Sequence, residues 1–299
     1  MIFQKKDIGI IMTEKLNIVT TNIEVGASEP FSLLHVTDSH ISLANEKDTD
    51  EIKQHAFARR SAFEKPYGEG SSDAFFKAHM QYAGENDLTV ACTGDLIDFL
   101  SHANLEYLGH AFDNVKDHIY AAGNHDFCHF VGRAKEDAQY KIDNRKKVAP
   151  FVKHNMLFDS KVINGVNLVT LDNSYYLMSD GQTDMLRAEA AKGLPIILFV
   201  HNPFYCRELA DYQMTKAPYA CVVGAPERYI ERYTPDRQLQ QRPDVATLRA
   251  IDYILGEKLI KAIFAGHLHY NFESPLSNGV IQYCTEAGYM GGARQINIR

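Results

Sequence analysis

An α/β fold with mixed sheets is the class this sequence predicts, and three observations predict it. Short apolar runs rich in β-branched residues alternate with longer stretches of helical periodicity. Asn-Gly turns join neighbouring runs in the second half, and no repeat, low-complexity tract or Pro/Gly-rich linker divides the chain. One domain spanning residues 1–299 is therefore expected.

Taken in order, the runs are FSLLHVTD (31–38), DLTVACTGD (87–95), HIYAAGN (118–124), VNLVTLDN (166–173), PIILFVHN (195–202) and KAIFAGH (261–267), each reading as a buried strand. Between them, residues 71–84, 102–112, 133–152 and 244–258 read as helices. Asn164-Gly165 joins SKVI to VNLV and Asn278-Gly279 joins ESPL to VIQYC, so part of the sheet structure is antiparallel. Segments 42–70 and 203–243 lack strand periodicity and are long enough to be lids over a site.

Composition narrows the function classes. With 45 % hydrophobic and 11 % aromatic residues the chain can bury a large core, and its net charge of −7 comes without a block of like charges. A dedicated nucleic-acid or anionic-membrane surface is not indicated, and an anionic substrate would need a local positive centre, which metal ions supply. The five cysteines are scattered with no CxxC spacing, which argues against a disulfide framework or a thiolate zinc site and fits a reducing cytoplasm. The apolar patch from Ile8 to Met12 is too short for a signal-peptide core, and no stretch reaches membrane-spanning length.

The chemistry sits where the strands end. Five of the runs close on Asp38-Ser-His40, Gly94-Asp95-Leu-Ile-Asp98, Gly123-Asn124-His125-Asp126, His201-Asn202 and Gly266-His267-Leu-His269, at the carboxyl edge where α/β sheets bind ligands. Asp38, His40, Asp95, Asn124, His201, His267 and His269 are seven hard or borderline donors that can converge on one rim. Alternating residues such as Asp38 and His40, or His267 and His269, point to one side of an extended segment and can grip one cation. Gly94, Gly123 and Gly266 each precede a donor, as a close backbone approach requires. Oxygen and imidazole donors without thiolate suit Mn, Fe, Zn or Co.

This ordered set resembles the calcineurin-like metallophosphoesterase family, whose signature is D-x-H, G-D-x-x-D, G-N-H-D/E, a lone His and G-H-x-H. The resemblance implies a four-layer α/β/β/α sandwich and a pair of divalent or trivalent metal ions. Asp38, His40 and His269 would hold one ion, Asn124, His201 and His267 the other, and Asp95 would bridge them. A hydroxide shared by the two ions would attack a phosphate ester. His125 would protonate the leaving oxygen or steady the phosphoryl oxygens, and Asp98 would hold its other ring nitrogen. Purple acid phosphatases carry tyrosine at the place of Asp98, and protein Ser/Thr phosphatases lack the terminal G-H-x-H, so the match leans towards the phosphodiesterase-like branch.

Weaker readings stand beside these. Taken singly, Asp95 or Asp98 is a cap for the following helix; seven such donors clustered without a metal would bury unpaired polar groups at steep cost. His129 either lines the pocket or sits apart, and Asp126 either supports the site or forms a turn. Tyr205 and Arg207 open an aromatic and arginine-rich stretch that either grips substrate or packs as an amphipathic lid. Arg294 would reach a phosphate or, more commonly, form a surface ion pair. The expected partner is a small-molecule or nucleotide phosphomonoester or phosphodiester. Two alternatives are a non-catalytic scaffold on the same fold, which predicts broken ligands, and an amidohydrolase, which places H-x-H first and Asp last.

Overall fold

The computed structural model describes residues 15–133 and 136–299. The N-terminal patch from Ile8 to Met12 lies outside them. Two mixed sheets form. The first has the order β1 (Asn17–Ile23), β11 (Gly292–Ile298), β2 (Phe31–Val36), β3 (Thr89–Cys92), β4 (His118–Tyr120). The second runs β5 (Phe158–Ile163), β6 (Val166–Leu171), β7 (Ile196–Phe199), β8 (Ile260–Ala265), β10 (Ile281–Cys284), β9 (Phe272–Pro275). The β5–β6 and β9–β10 pairs are antiparallel, and their turns hold Asn164-Gly165 and Asn278-Gly279. All six sequence-predicted strands are present.

Period-2 alternation sorts their side chains into layers. Leu33, Leu168, Ile197, Phe199, Ala262 and Phe264 meet in a core between the sheets. Leu34, Val36, Val90 and Cys92 face the other way, towards Phe76, Met80 and Leu108 of helices Ser71–Glu85 and His102–His110. Val169, Leu198, Val200 and Ile263 pack instead with Leu186, Leu209, Ala250 and Ile254 of helices Asp180–Ala190, Arg207–Lys216 and Val245–Gly256. Strands covered on both faces read as continuous apolar runs, and the result is the four-layer arrangement.

Several elements depart from expectation. β1 and β11 escape the sequence reading because NIVTTNI and GARQINI are too polar to read as apolar runs, yet they pair in parallel and Arg294 of β11 lies buried between the sheets. Its guanidinium bonds Thr285 and Asn271 and pairs with the exposed Glu273, so the expected ion pair forms, with Arg294 as its buried partner. The helix expected at 133–152 starts only at Ala138, where the Asp137 side chain caps Tyr140 N. Segment 42–70 contains a helix, Asp50–Glu64, capped by Thr49, and 203–243 folds into helices Arg207–Lys216, Glu227–Ile230 and Pro235–Gln241. Among the described residues no helix is long and apolar enough to cross a membrane.

Candidate metal centre

The loops that follow β2, β3, β4, β7 and β8 meet at one end of the two sheets. Backbone bonds knit them together. Asp38 N donates to Gly94 O, His40 N to Asp95 O, and Gly266 N to His201 O, at 2.9, 2.9 and 3.0 Å. Asp38 Oδ2 accepts from His267 N at 2.8 Å and so ties the first sheet to the second. Among the described residues three groups of donors have ligand atoms within 4.8 Å of one another: Asp38, His40 and His269; Asp95, His201 and His267; and His40, Asp98 and His125, whose Asp98 sits behind the two rings and leaves the first two as the donor groups. Asn124 joins the second, its Oδ1 lying 3.2 Å from His201 Nε2. Asp95 Oδ2 lies 3.2 Å from His201 Nε2 and 3.9 Å from His40 Nε2, between the two groups.

The ring nitrogens are sorted by their outer partners. His40 Nδ1 meets Asp98 Oδ1 at 2.9 Å and His201 Nδ1 donates to Thr93 O at 2.7 Å, so both rings turn Nε2 inward, where a cation can take the place of a proton. His267 directs Nδ1 at His201 Nε2, 3.3 Å away, because its Nε2 is engaged by the Tyr176 hydroxyl at 2.8 Å. His40 Nε2 and His269 Nε2 face each other at 3.1 Å. Asp38 Oδ1 is buried and, among the described residues, makes no well-formed hydrogen bond, its nearest partner being His269 Nε2 at 3.2 Å. Imidazole nitrogens turned on one another and on buried carboxylate oxygens, with no well-formed hydrogen bond at Asp38 Oδ1, are costly unless cations lie among them, so these residues fit two metal ions.

Backbone conformation points the same way. Asp38, His40, Asp95, His267 and His269 all lie in the left-handed region, with φ of 52, 47, 49, 70 and 63°. Each such residue costs on the order of 1–3 kcal/mol and persists only where surrounding bonds dictate it. Glycine would relieve the strain, so the side chains are what the strain serves. Gly123 and Gly266 carry the converse demand: a Cβ on Gly266 would lie 1.9 Å from Thr37 Oγ1 and 2.5 Å from Asp38 Oδ2.

Burial opposes ionisation of Asp38, Asp95 and Asp98, yet His269, His201 and His125 respectively hold each carboxyl well below the usual range. Burial likewise pushes imidazolium down, but it is outweighed by Asp95 with Asp38 and the Thr93 carbonyl at His201, raised to about 9, and by Asp95 with Asp98 at His125, raised to about 10. At His267, burial and the neighbouring His201 charge win, and its pKa falls to about 3. Dications placed among these carboxylates would replace the protons as counter-charges.

His125 stands on the open side of the cluster, 17 % exposed against 0–2 % for Asp38, His40, Asp95 and His201. Its backbone N donates to Asp95 Oδ1 at 2.7 Å, and its Nδ1 lies 2.9 Å from Asp98 O and Asp98 Oδ1. Asp98 thus serves two imidazoles, His40 and His125. It also receives Arg59 Nε and Nη2 at 2.5 and 2.9 Å. Neither Asp95 nor Asp98 caps the next helix, a task that falls to Ser101 and Asp48. Asp126 accepts from the backbone N of Asp95, Ile97 and Gly123 and so braces the loop beneath the site.

The structure brings the seven donors, His125 and Asp98 together. His129, Tyr205 and Arg207 are engaged elsewhere: the exposed His129 ring lies on Phe130, Tyr205 accepts from Arg228, and Arg207 pairs with Asp211. Sequence reasoning missed Arg59, Phe63, Tyr175 and Tyr176. Phe63 stacks on His40, with centroids 4.3 Å apart, and Tyr289 closes on both rings. Tyr175 and Tyr176 lie just past a strand end at the same edge, a signal that sequence could have offered; Arg59 and Phe63 fall in segment 42–70, which the sequence marks as a lid without singling out either residue.

The sequence pattern of calcineurin-like phosphoesterases matches residues 31–271. No curated protein matches the chain. Among solved structures, a dimetal phosphatase from Danio rerio is 14 % identical, with 88 % of this chain and 89 % of that one covered and a TM-score of 0.49. The phosphopantetheinyl hydrolase of Mycobacterium tuberculosis is 12 % identical over 90 % and 91 % of the two chains, at a TM-score of 0.37. The NAD nucleotidase of Haemophilus influenzae is 13 % identical over 90 % of this chain and 47 % of that one, at 0.38.

Proposed function

Since the chain belongs to the calcineurin-like phosphoesterase family, a family of metal-dependent phosphoester hydrolases, we propose that it cleaves a small-molecule or nucleotide phosphate ester at a two-metal centre. The observation that carries this reading is the pair of donor groups sharing Asp95, whose Oδ2 faces His201 on one side and His40 on the other. Asp38, His40 and His269 would hold one ion, and Asn124, His201 and His267 the other. When bound, two such ions supply a nucleophile from water at neutral pH and neutralise charge on the phosphoryl oxygens.

The chain's own residues do the rest. His125, on the open side, is placed to meet the leaving oxygen or a phosphoryl oxygen through Nε2, since Nδ1 is engaged by Asp98. Asp98 holds that ring and the His40 ring in one tautomer each, and Arg59 holds Asp98. Phe63 stacks on His40, and Tyr289 packs edge-on against His269. The scaffold reading predicts broken ligands, whereas all seven donors and His125 are in place.

The test is to strip the protein of metal, reload it separately with Mn, Fe, Zn, Co or Mg, and assay p-nitrophenyl phosphate and its bis-ester. Metal-dependent release of p-nitrophenolate is expected, and the ratio of the two rates assigns monoester or diester preference. No hydrolysis of either ester with any of the five metals refutes the proposal.

A further inference from the structure

The turn after β6 takes no part in the reading above, yet among the described residues other than glycine it holds two consecutive left-handed positions. Tyr175 and Tyr176 are consecutive, buried, and both left-handed at φ 57 and 61°. In an extended strand adjacent side chains would leave by opposite faces. Here both hydroxyls reach residues of one donor group: Tyr175 donates to the backbone O of Asn124 at 2.9 Å, and Tyr176 lies 2.8 Å from His267 Nε2.

The turn is held from below. Asp172 Oδ1 accepts from Ser174 N and Oγ at 3.0 and 2.5 Å. Lys141, buried, donates to Ser174 O at 3.0 Å and Leu177 O at 3.2 Å and pairs with Asp172 at 3.0 Å. A buried ammonium and carboxylate spent on one turn over-determine its strained backbone.

We propose that the Ser174–Tyr176 turn is a positioning clamp for the ion held by Asn124, His201 and His267, a role that rests on the two-ion reading. With His267 Nδ1 committed to the ion, the ring proton lies on Nε2, which donates to Tyr176 Oη. That bond fixes the ring plane and makes Nδ1 a better donor. Tyr175 fixes the Asn124 backbone, and with it the Oδ1 that lies 3.2 Å from His201 Nε2. The other donor group uses a different support, the Asp98 contact to His40. The side-chain bonds that orient the rings are therefore separate for the two groups, although Asp95 lies between them, and loss of the Tyr176 hydroxyl should act chiefly on one.

Tyr176→Phe keeps the ring and removes only the hydroxyl. Metal-stripped full-length wild type and variant are titrated with Mn²⁺ by calorimetry and electron paramagnetic resonance. The expected result is that one of two binding steps weakens about 10–100-fold while the other is unchanged. A mononuclear six-line signal should then persist at a Mn²⁺ level that gives wild type a spin-coupled pair. Tyr175→Phe, acting through the Asn124 backbone, should weaken the same step less. A coupled pair forming in Tyr176→Phe at the wild-type Mn²⁺ level, or equal weakening of both steps, overturns the clamp while leaving the two-ion reading intact. Fewer than two ions in wild type overturns both.

Discussion

Replacing Gly123 with alanine tests how tightly backbone and donors are interlocked. A Cβ at this position would lie 2.2 Å from Asp95 Oδ1, 2.5 Å from Asp95 N and 2.8 Å from His201 Nδ1, where ordinary contact begins near 3.4 Å. Relief requires movement of about 1 Å. None of the three atoms is the free end of a flexible chain: Asp95 Oδ1 accepts from His125 N, Asp95 N donates to Asp126, and His201 Nδ1 donates to Thr93 O. Overpacking a well-filled site costs about 1–3 kcal/mol, and three pinned neighbours place Gly123→Ala towards the upper end. A misplacement of about 1 Å at a reacting centre costs on the order of 10²-fold in rate. Metal content by elemental analysis, kcat/KM on the p-nitrophenyl esters and urea unfolding measure the three consequences. Gly256→Ala, where a Cβ meets nothing within 4 Å, is the control. Wild-type metal content together with a rate within about threefold of wild type would refute the argument.

Asp95→Asn should lower occupancy of both ions whereas His40→Ala chiefly empties one, because only Asp95 lies between the two donor groups; equal partial loss in both, by elemental analysis, counts against a bridge. Arg59→Met removes two bonds from the buried Asp98 carboxylate, and because Arg59 is 24 % exposed the cost should be about 1–3 kcal/mol, below that of breaking a fully buried pair. Its rate deficit should grow as the leaving group becomes more basic if Asp98 acts through His125, and a deficit independent of leaving group breaks that link. Burial holds His79 neutral, its pKa lowered to about 4, with Nε2 bonded to Gly291 O. The unfolded chain takes up the proton first, so this residue withdraws stability as pH falls from about 6.5 towards 4. Between pH 7 and pH 5, urea unfolding should shift in favour of His79→Gln over wild type by about 2 kcal/mol, and parallel pH profiles would show that His79 does not titrate as described.

What the sequence by itself determined is the part of the molecule written in local signals. Phe199 and Val200 lie in an unbroken apolar run and Leu33 and Leu34 in a short one because β2 and β7 are covered on both faces, and that pattern is visible without a partner. The seven donors close such strands in a fixed order, so each was legible where its strand ended. Only the tertiary structure decided what brings distant, individually unremarkable residues together. β1 and β11 are recognisable as strands only once Asn17 is registered with Gly292. Arg59 reaches Asp98 from a surface helix with little apolar patterning, and Arg294 looks like a surface arginine until the two sheets close over it. The left-handed geometry of Tyr175 and Tyr176 is held by Lys141, 33 residues before Ser174, acting together with the local Asp172. Strand and donor identity follow from composition along the chain, whereas the bonds that orient the donors depend on contacts whose partners lie tens to hundreds of residues away, and no periodicity encodes them.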